Sequence, residues 1–270
     1  MDRSLYLVDN ENIEVTADGP SLWIQKPMKA GQRVPLRLIN RVYVIGNIKI
    51  SSEAMLALAE QNIPLIVSRH SGEDIAILLP FNHKLANHFK EQRIILENAI
   101  NLFKYIKWLK AYRMCLQLRL LKKYFPYLRN SNVLGEGDYE VLLAKLIPRD
   151  KYLTRVVKDV VSFLLKGLIT INLIKAGLDV HTGAYFRRVN FGFVLDLVYL
   201  LEAKIDEQVI LFFKQTNYSR FVQKCGERVY LTSDGYRNII HRFENKRSEL
   251  DNQINKVIDD FFYLIKELKV

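Results

Sequence analysis

Acidic residues lie near the starts of two predicted helices, and one of them, Asp196, could bind a divalent cation. Glu136 lies in the segment Val-Leu-Gly-Glu-Gly-Asp, and Glu140 follows one helical turn later. Asp196 lies in the first turn of another predicted helix, inside an apolar run. Carboxylate oxygens suit Mg²⁺ or Mn²⁺, but an acid in the first turn of a helix also caps it or responds to its positive end. Both interpretations stay open from these residues alone.

Residues 176–206 are predicted to form a helix end, a polar loop and the start of a second helix. Gly177 suits the left-handed conformation that ends many helices. Arg187 and Arg188 stand in the exposed part of the loop, and the next helix begins near Phe193. The two arginines are therefore candidates for contacting an anionic partner.

The composition of the 270-residue chain is that of a globular protein with excess positive charge. Hydrophobic residues make up 49%, charged residues 26%, and the net charge is +11. We find no bilayer-spanning apolar run, no signal core and no metal-like spacing of the two cysteines. We therefore expect a cytoplasmic protein without a membrane partner. The charge favours an anionic polymer as partner, although solubility alone is an alternative.

The positive charge is concentrated in a long predicted helix from Leu85 to Phe125. Between residues 83 and 130, eleven lysines and arginines stand against two glutamates, with aromatic residues interleaved. Such a helix can follow a phosphate backbone and release its counterions. A solvated face with core aromatics is the alternative. The candidates for DNA contact on this helix are Lys104, Lys107, Lys110 and Arg113.

The pattern along the chain predicts an α+β protein with a β-rich N-terminal domain and a larger all-α domain. Short β-rich runs separated by turn signals fill residues 4–80, and Ser51 or Ser52 is expected to cap a helix that ends at Glu60. We predict a β-rich domain at 1–80, a linker at 81–84 and a helical domain at 85–270. The helical domain is predicted to end in a basic helix within 228–247 and a separate C-terminal helix at 250–268.

Three of these segments resemble the CRISPR-associated integrase, the Cas endonuclease that inserts new spacers into CRISPR arrays. The first is Ala-Gly-Leu-Asp followed by a glycine and an apolar run that ends in Leu-Asp-Leu, within 176–197. The second is Ile-Gly-Asn-Ile, a short helix and Asn-Ile-Pro-Leu-Ile, within 45–66. The third is the Glu-Gly pair at 136–137. The chain is thereby identified as a divergent member of this family.

The resemblance implies a metal site made of a Glu, a His and an Asp. Glu136 and Asp196 match the two carboxylates, but Phe186 falls on the histidine position and cannot bind a metal. Tyr199 and Glu202 occupy the third and sixth positions after Asp196, where the family often has acidic and basic residues. We therefore predict weak binding of Mg²⁺ or Mn²⁺ and low or absent activity. His181, on the same loop, is a possible substitute ligand.

The resemblance further implies a function in CRISPR adaptation. The protein would act as a metal-dependent DNA endonuclease and integrase, through phosphodiester cleavage and strand transfer. It would form a homodimer through its β-domain and assemble with the small second Cas protein. A DNA-binding structural homologue with a weak or inactive site is the alternative. A basic RNA-binding protein unrelated to spacer insertion is a third hypothesis.

Overall fold

The chain divides into two compact units in the computed structural model. This structure describes residues 3–8, 12–72, 75–79, 86–131, 133–135, 137–148, 150–215, 218–225 and 228–269. The first unit comprises residues 1–83 and 220–237, and the second comprises residues 84–219 and 238–270.

The described residues of the first unit form two four-stranded sheets, one complete α-helix, a hairpin and the beginning of the last helix. The elements are β1 Ser4–Val8, β2 Glu14–Asp18, β3 Ser21–Gln25, β4 Gln32–Pro35, β5 Arg41–Ile45, β6 Lys49–Ile50, α1 Ser52–Glu60, β7 Leu65–Ser68, β8 Ile75–Leu78, β9 Val222–Cys225 and β10 Arg228–Leu231. In one sheet, the first three strands are parallel and the last is antiparallel, in the order β1-β5-β7-β8. In the other, the order is β4-β3-β2-β6.

The helix of the first unit begins where the sequence predicts it. The Ser51 side chain accepts a hydrogen bond from the Ala54 backbone N–H at 3.2 Å, which satisfies one of the free donors of the first turn. Leu58 on the same helix packs with strand residues of both sheets, among them Leu22 and Val42, in one apolar core. Removal of these side chains from water stabilises the unit.

The second unit is built from helices. The elements are α2 Phe89–Glu97, α3 Ala99–Lys122, α4 Asp138–Leu143, α5 Lys151–Lys175, α6 Gly192–Leu200, α7 Glu202–Phe213 and most of α8, Ser233–Leu268. Helix α5 is the most buried of the long ones, and it packs against α6 and α7. Among the described residues, no helix is long and apolar enough to cross a membrane.

The predicted fold class is confirmed: a strand-rich N-terminal region precedes a helical part. One difference is the β9–β10 hairpin, which lies in the chain segment expected to be helical and groups with the first unit. The predicted linker at 81–84 lies outside the described residues, so the domain boundaries stay a prediction.

Two helix predictions were wrong in their bounds. The long basic helix is interrupted at Asn98, whose backbone is extended at φ −147° and ψ 164°. The Asn98 side chain caps α3 by accepting from the Asn101 N–H at 2.8 Å, and the Asn101 side chain donates to the Ile94 carbonyl at 3.0 Å. These polar contacts replace the helical hydrogen bonds at the break. At the C-terminus, the two predicted helices are the single helix α8.

Candidate nucleic-acid interface and buried carboxylates

Asp196 is fully buried and accepts hydrogen bonds at both carboxylate oxygens. Its Oδ1 accepts from the Phe186 N–H at 2.9 Å. Its Oδ2 accepts from the N–H of Ala184 at 2.8 Å, the N–H of Tyr185 at 3.2 Å and the Tyr105 hydroxyl at 2.8 Å. The carboxylate of α6 therefore holds the preceding loop and joins it to α3.

Burial raises the pKa of Asp196, although the hydrogen bonds from Ala184, Phe186 and Tyr105 act in the opposite direction. The Tyr105 hydroxyl keeps its proton, because burial and the nearby carboxylate raise its pKa well above its ordinary value. The hydroxyl is therefore a donor to Asp196 throughout the physiological pH range.

The loop before α6 is held against the helix by a pair of glycines. A Cβ atom on Gly183 would lie 2.3 Å from the carbonyl carbon of Gly192, and a Cβ on Gly192 would lie 2.4 Å from the Phe186 oxygen. Both positions therefore require glycine. Gln92 of α2 fixes the other side of the loop, since its amide donates to the carbonyls of Asp179 at 2.9 Å and Thr182 at 3.0 Å.

His181 is also part of this loop structure. Its Nδ1 accepts from the Phe191 N–H at 3.2 Å, and its own N–H donates to the Asp179 carboxylate at 3.2 Å. The ring nitrogen that faces the loop is thus already hydrogen-bonded to the backbone.

Tyr199 and Glu202 contact Arg113 of α3. The guanidinium lies over the Tyr199 ring at 4.3 Å and pairs with the Glu202 carboxylate. Tyr199 in turn stacks on Tyr185 of the loop, with ring centroids 4.7 Å apart. These contacts place the Arg113–Glu202 pair beside the loop that Asp196 holds.

A second cation, Lys158 of α5, also pairs with Glu202. Its ammonium lies 2.8 Å from Glu202 and 3.1 Å from Asp206, and Asp206 also accepts from the Tyr139 hydroxyl at 2.7 Å. Burial alone would raise the pKa of Glu202, but Lys158 and Arg113 lower it overall. For Asp206, burial outweighs Lys158 and raises the pKa.

The described residues at this place do not fit a divalent ion. The carboxylates of Asp196, Glu202 and Asp206 already accept from protein donors at every oxygen. Phe186, which the sequence resemblance places at the family's histidine position, packs edge-on against Tyr185. Within the described ranges, no group of three or more His, Cys, Asp or Glu side chains could hold a metal ion.

Glu136 lies outside the described residues, so its predicted pairing with Asp196 stays a prediction. The two residues after Glu136 form the start of the next helix. Gly137 has a left-handed φ of 80°, and Asp138 begins α4. Glu140 lies one turn later and is exposed. Burial alone would lower the pKa of Arg113, but Glu202 chiefly, and Glu140 to a smaller degree, raise it overall.

The basic residues predicted to contact DNA fall into two groups. Lys104, Lys107 and Lys110 are exposed, and none has an ion-pair partner in the part of the chain that the structure describes. Arg113 differs, because its side chain is 20% exposed and already paired with Glu202. The structure thus separates one continuous basic run into free and neutralised charges.

Arg187 and Arg188 are both exposed on the loop before α6. The Arg187 side chain donates from Nε to the Ala184 carbonyl at 3.1 Å, which orients the guanidinium without neutralising it. Both arginines are therefore available to an anionic partner.

Comparisons with known proteins agree on one fold. Residues 6–133 match the family model described as CRISPR associated protein Cas1. A comparison with curated protein sequences finds no significant match.

Three solved structures are similar over nearly the whole chain. A CAS1 protein from Thermotoga maritima is 13% identical, with a TM-score of 0.79 and coverage of 98% of this chain and 97% of that one. A casposase bound to integration product is 16% identical, with a TM-score of 0.72 and coverage of 98% and 91%. A TtCas1–DNA complex is 13% identical, with a TM-score of 0.64 and coverage of 97% and 91%. The resemblance found in the sequence is thus confirmed.

Proposed function

Since the chain is a divergent relative of the Cas1 family, we propose that it is a DNA-binding protein of CRISPR adaptation in which cleavage and strand transfer are weak or absent. The observation that carries this proposal is the contrast between a free basic surface and a closed carboxylate site. Lys104, Lys107 and Lys110 offer unneutralised charge along one helix, whereas Asp196 is fully buried and both of its carboxylate oxygens accept hydrogen bonds from the protein.

The basic surface suits the phosphate backbone of DNA. Lysine ammonium groups release the counterions of phosphates and carry no base information, so affinity should depend on salt and little on sequence. A solved structure of the same fold is a complex with DNA, which supports this partner. Arg187 and Arg188 extend the surface of the second unit that could contact the backbone.

A second candidate function is that of a metal-dependent endonuclease and integrase. The observation that favours it is the fold shared with a casposase bound to integration product. That activity would need ligands besides Asp196, and Glu136 is the remaining candidate from the resemblance. The described carboxylates of Asp196, Glu202 and Asp206 do not fit the metal on which this activity would depend.

The homodimer through the β-rich domain, the partnership with the small second Cas protein and the cytoplasmic location are further parts of this proposal. The Cas1-type fold supports the first two as expectations. Sedimentation of the intact protein, alone and with the second protein, tests both.

The test of the proposed function uses the intact protein with branched and duplex DNA. We expect DNA binding in chelator, and little or no cleavage or strand transfer with Mn²⁺ or Mg²⁺. Phe186→His restores the missing imidazole, and we expect no gain in activity, because Asp196 remains fully hydrogen-bonded. Metal-dependent strand transfer by the parent, lost in Glu136→Gln, would establish the integrase instead. Absence of DNA binding would exclude both functions.

A further inference from the structure

Two cations of the second unit pair with carboxylates between helices, and their side chains are only partly exposed, Arg113 by 20% and Lys158 by 35%. Arg113 of α3 and Lys158 of α5 both pair with Glu202 of α7, and Lys158 also pairs with Asp206. The side chain of Asp206 is only 3% exposed and that of Glu202 is 25% exposed. Charges removed from water to this degree need compensation by partners of opposite sign.

The two cations leave no carboxylate oxygen of this group without a donor. Lys158 donates to Glu202 Oε1 at 2.8 Å, and Arg113 donates to Oε2. On Asp206, Lys158 lies 3.1 Å from Oδ1, and the Tyr139 hydroxyl donates to Oδ2 at 2.7 Å. A divalent ion needs several oxygens converging on one point, and here each is turned to a protein donor instead.

The positive charges match what a divalent ion would supply. Arg113 and Lys158 together carry two positive charges, and between them they bind the two carboxylates and connect α3, α5 and α7. Tyr139 adds α4 to the same group. The contacts of Arg113 with Tyr199, and of Tyr199 with Tyr185, place the group next to the Asp196 loop.

We propose that Arg113 and Lys158 form a built-in substitute for a divalent cation, which neutralises Glu202 and Asp206 and makes this part of the protein independent of metal. The ion-pair group, meaning these four residues, then does by side chains what an ion does in a metal-bridged helical site. The inference concerns metal binding alone, so it can fail while the proposed DNA binding stands.

The first test uses the parent protein without DNA. Loss of the electron paramagnetic resonance signal of free Mn²⁺ measures binding, and thermal unfolding in chelator or in millimolar Mn²⁺ measures any coupled stabilisation. We expect no bound Mn²⁺ and equal unfolding midpoints. Tight binding of Mn²⁺ that raises the midpoint and disappears in Glu202→Gln would overturn the proposal.

The second test removes the two cations and keeps the carboxylates. In the double variant Arg113→Met with Lys158→Met, Glu202 and Asp206 lose their cationic partners, and Asp206 keeps the hydrogen bond from Tyr139. We expect this variant to bind Mn²⁺ and to gain an unfolding midpoint that rises with Mn²⁺ concentration. Lys104→Met with Lys107→Met removes the same charge from the surface and should gain no metal binding.

The affinity of the double variant for Mn²⁺ supports or contradicts the proposal. A folded double variant with no affinity for Mn²⁺ would contradict the substitution of an ion by Arg113 and Lys158. If the double variant folds only when Mn²⁺ is present, the ion has replaced the two cations and the proposal is supported. If it folds in neither condition, the measurement on the parent protein decides.

Discussion

Basic residues of helix α3 occupy two opposite settings within a few helical turns. Lys104, Lys107 and Lys110 face solvent, whereas Arg113 lies between helices with Glu202. Lys104 precedes Arg113 by nine residues, about two and a half turns of an α-helix, so these two side chains point to opposite faces of α3. Lys110 precedes Arg113 by three residues and lies only about 60° from it around the helix, so its exposure does not follow from the spacing, and the pairing with Glu202 of α7 is what distinguishes Arg113.

This comparison teaches that net charge along a helix is not the charge available to a partner. The exposed lysines are screened by salt but free to meet phosphates. The arginine is neutralised before any partner arrives, and its contribution is to the packing of α3 against α7. Variants of the exposed lysines and of Arg113 therefore separate charge that binds a partner from charge that stabilises the fold.

The largest expected effect is on the buried carboxylate that anchors the loop. Asp196→Ala leaves four donors without their acceptor, three backbone N–H groups and the Tyr105 hydroxyl. At about 1–3 kcal/mol for each buried unsatisfied group, we expect a loss of about 4 kcal/mol or more in the free energy of unfolding. Denaturation in urea measures this loss.

Tyr105→Phe is the matched control for the anchor. It removes one of the four donors and should cost about 1–2 kcal/mol in the same measurement. If Asp196→Ala costs no more than Tyr105→Phe, the carboxylate does not hold the loop.

The next prediction compares a half-buried and an exposed basic residue of α3. Arg113→Met removes one partner of the half-buried Glu202 and should cost about 2–3 kcal/mol of unfolding free energy, reduced because Lys158 still pairs with that carboxylate. Lys107→Met, on the exposed side, should change it by less than about 0.5 kcal/mol. Equal losses of unfolding free energy in urea denaturation would mean that Arg113 stabilises the fold no more than the exposed Lys107 does.

A smaller effect is expected on the pH dependence of the free energy of unfolding. The lowered pKa of Glu202 means that its stabilisation is fully present above its ordinary value of 4.5 and is lost as the pH falls through the lower value of the folded protein. Glu202→Gln should therefore lose less stability on acidification than the parent does. Unfolding free energies measured across this acidic range provide the test, and a steeper loss in the variant would give the wrong sign.

The sequence predicts the architecture better than the chemistry of the site. Alternating apolar runs and the Ser51 cap locate the β-rich domain because those signals are local. The interruption at Asn98 was visible in principle, since Asn98 and Asn101 can replace helical hydrogen bonds with side-chain ones. The helical spacing separates Lys104 from Arg113 but not Lys110 from Arg113, so the burial of Arg113 could not be predicted from spacing alone.

The ion-pair group could not be read from the sequence. Lys158, Glu202 and Asp206 are ordinary charged residues of amphipathic helices, and only the packing of α5 against α7 brings them together. The hydrogen bonds of Asp196 depend on the turn of the loop at 184–186, which the Gly183–Gly192 contact permits. A carboxylate that resembles a metal ligand in sequence is thus an anchor in the fold.

The central claim is that the exposed lysines of α3 bind the DNA backbone. A variant with Lys104, Lys107 and Lys110 replaced by Ala is compared with one in which three other exposed lysines are replaced, Lys145, Lys175 and Lys256. Both variants lose the same net charge, so the control removes the effect of overall charge on association.

Fluorescence anisotropy of a labelled DNA duplex across a range of salt concentrations gives the measurement. For three lost phosphate contacts, the slope of log affinity against log salt should fall in magnitude by about 2.7 in the α3 variant and stay near that of the parent in the control. Affinity should fall equally for unrelated DNA sequences. Equal slopes in the two variants would contradict the account, since the α3 lysines would then be only a solvated face.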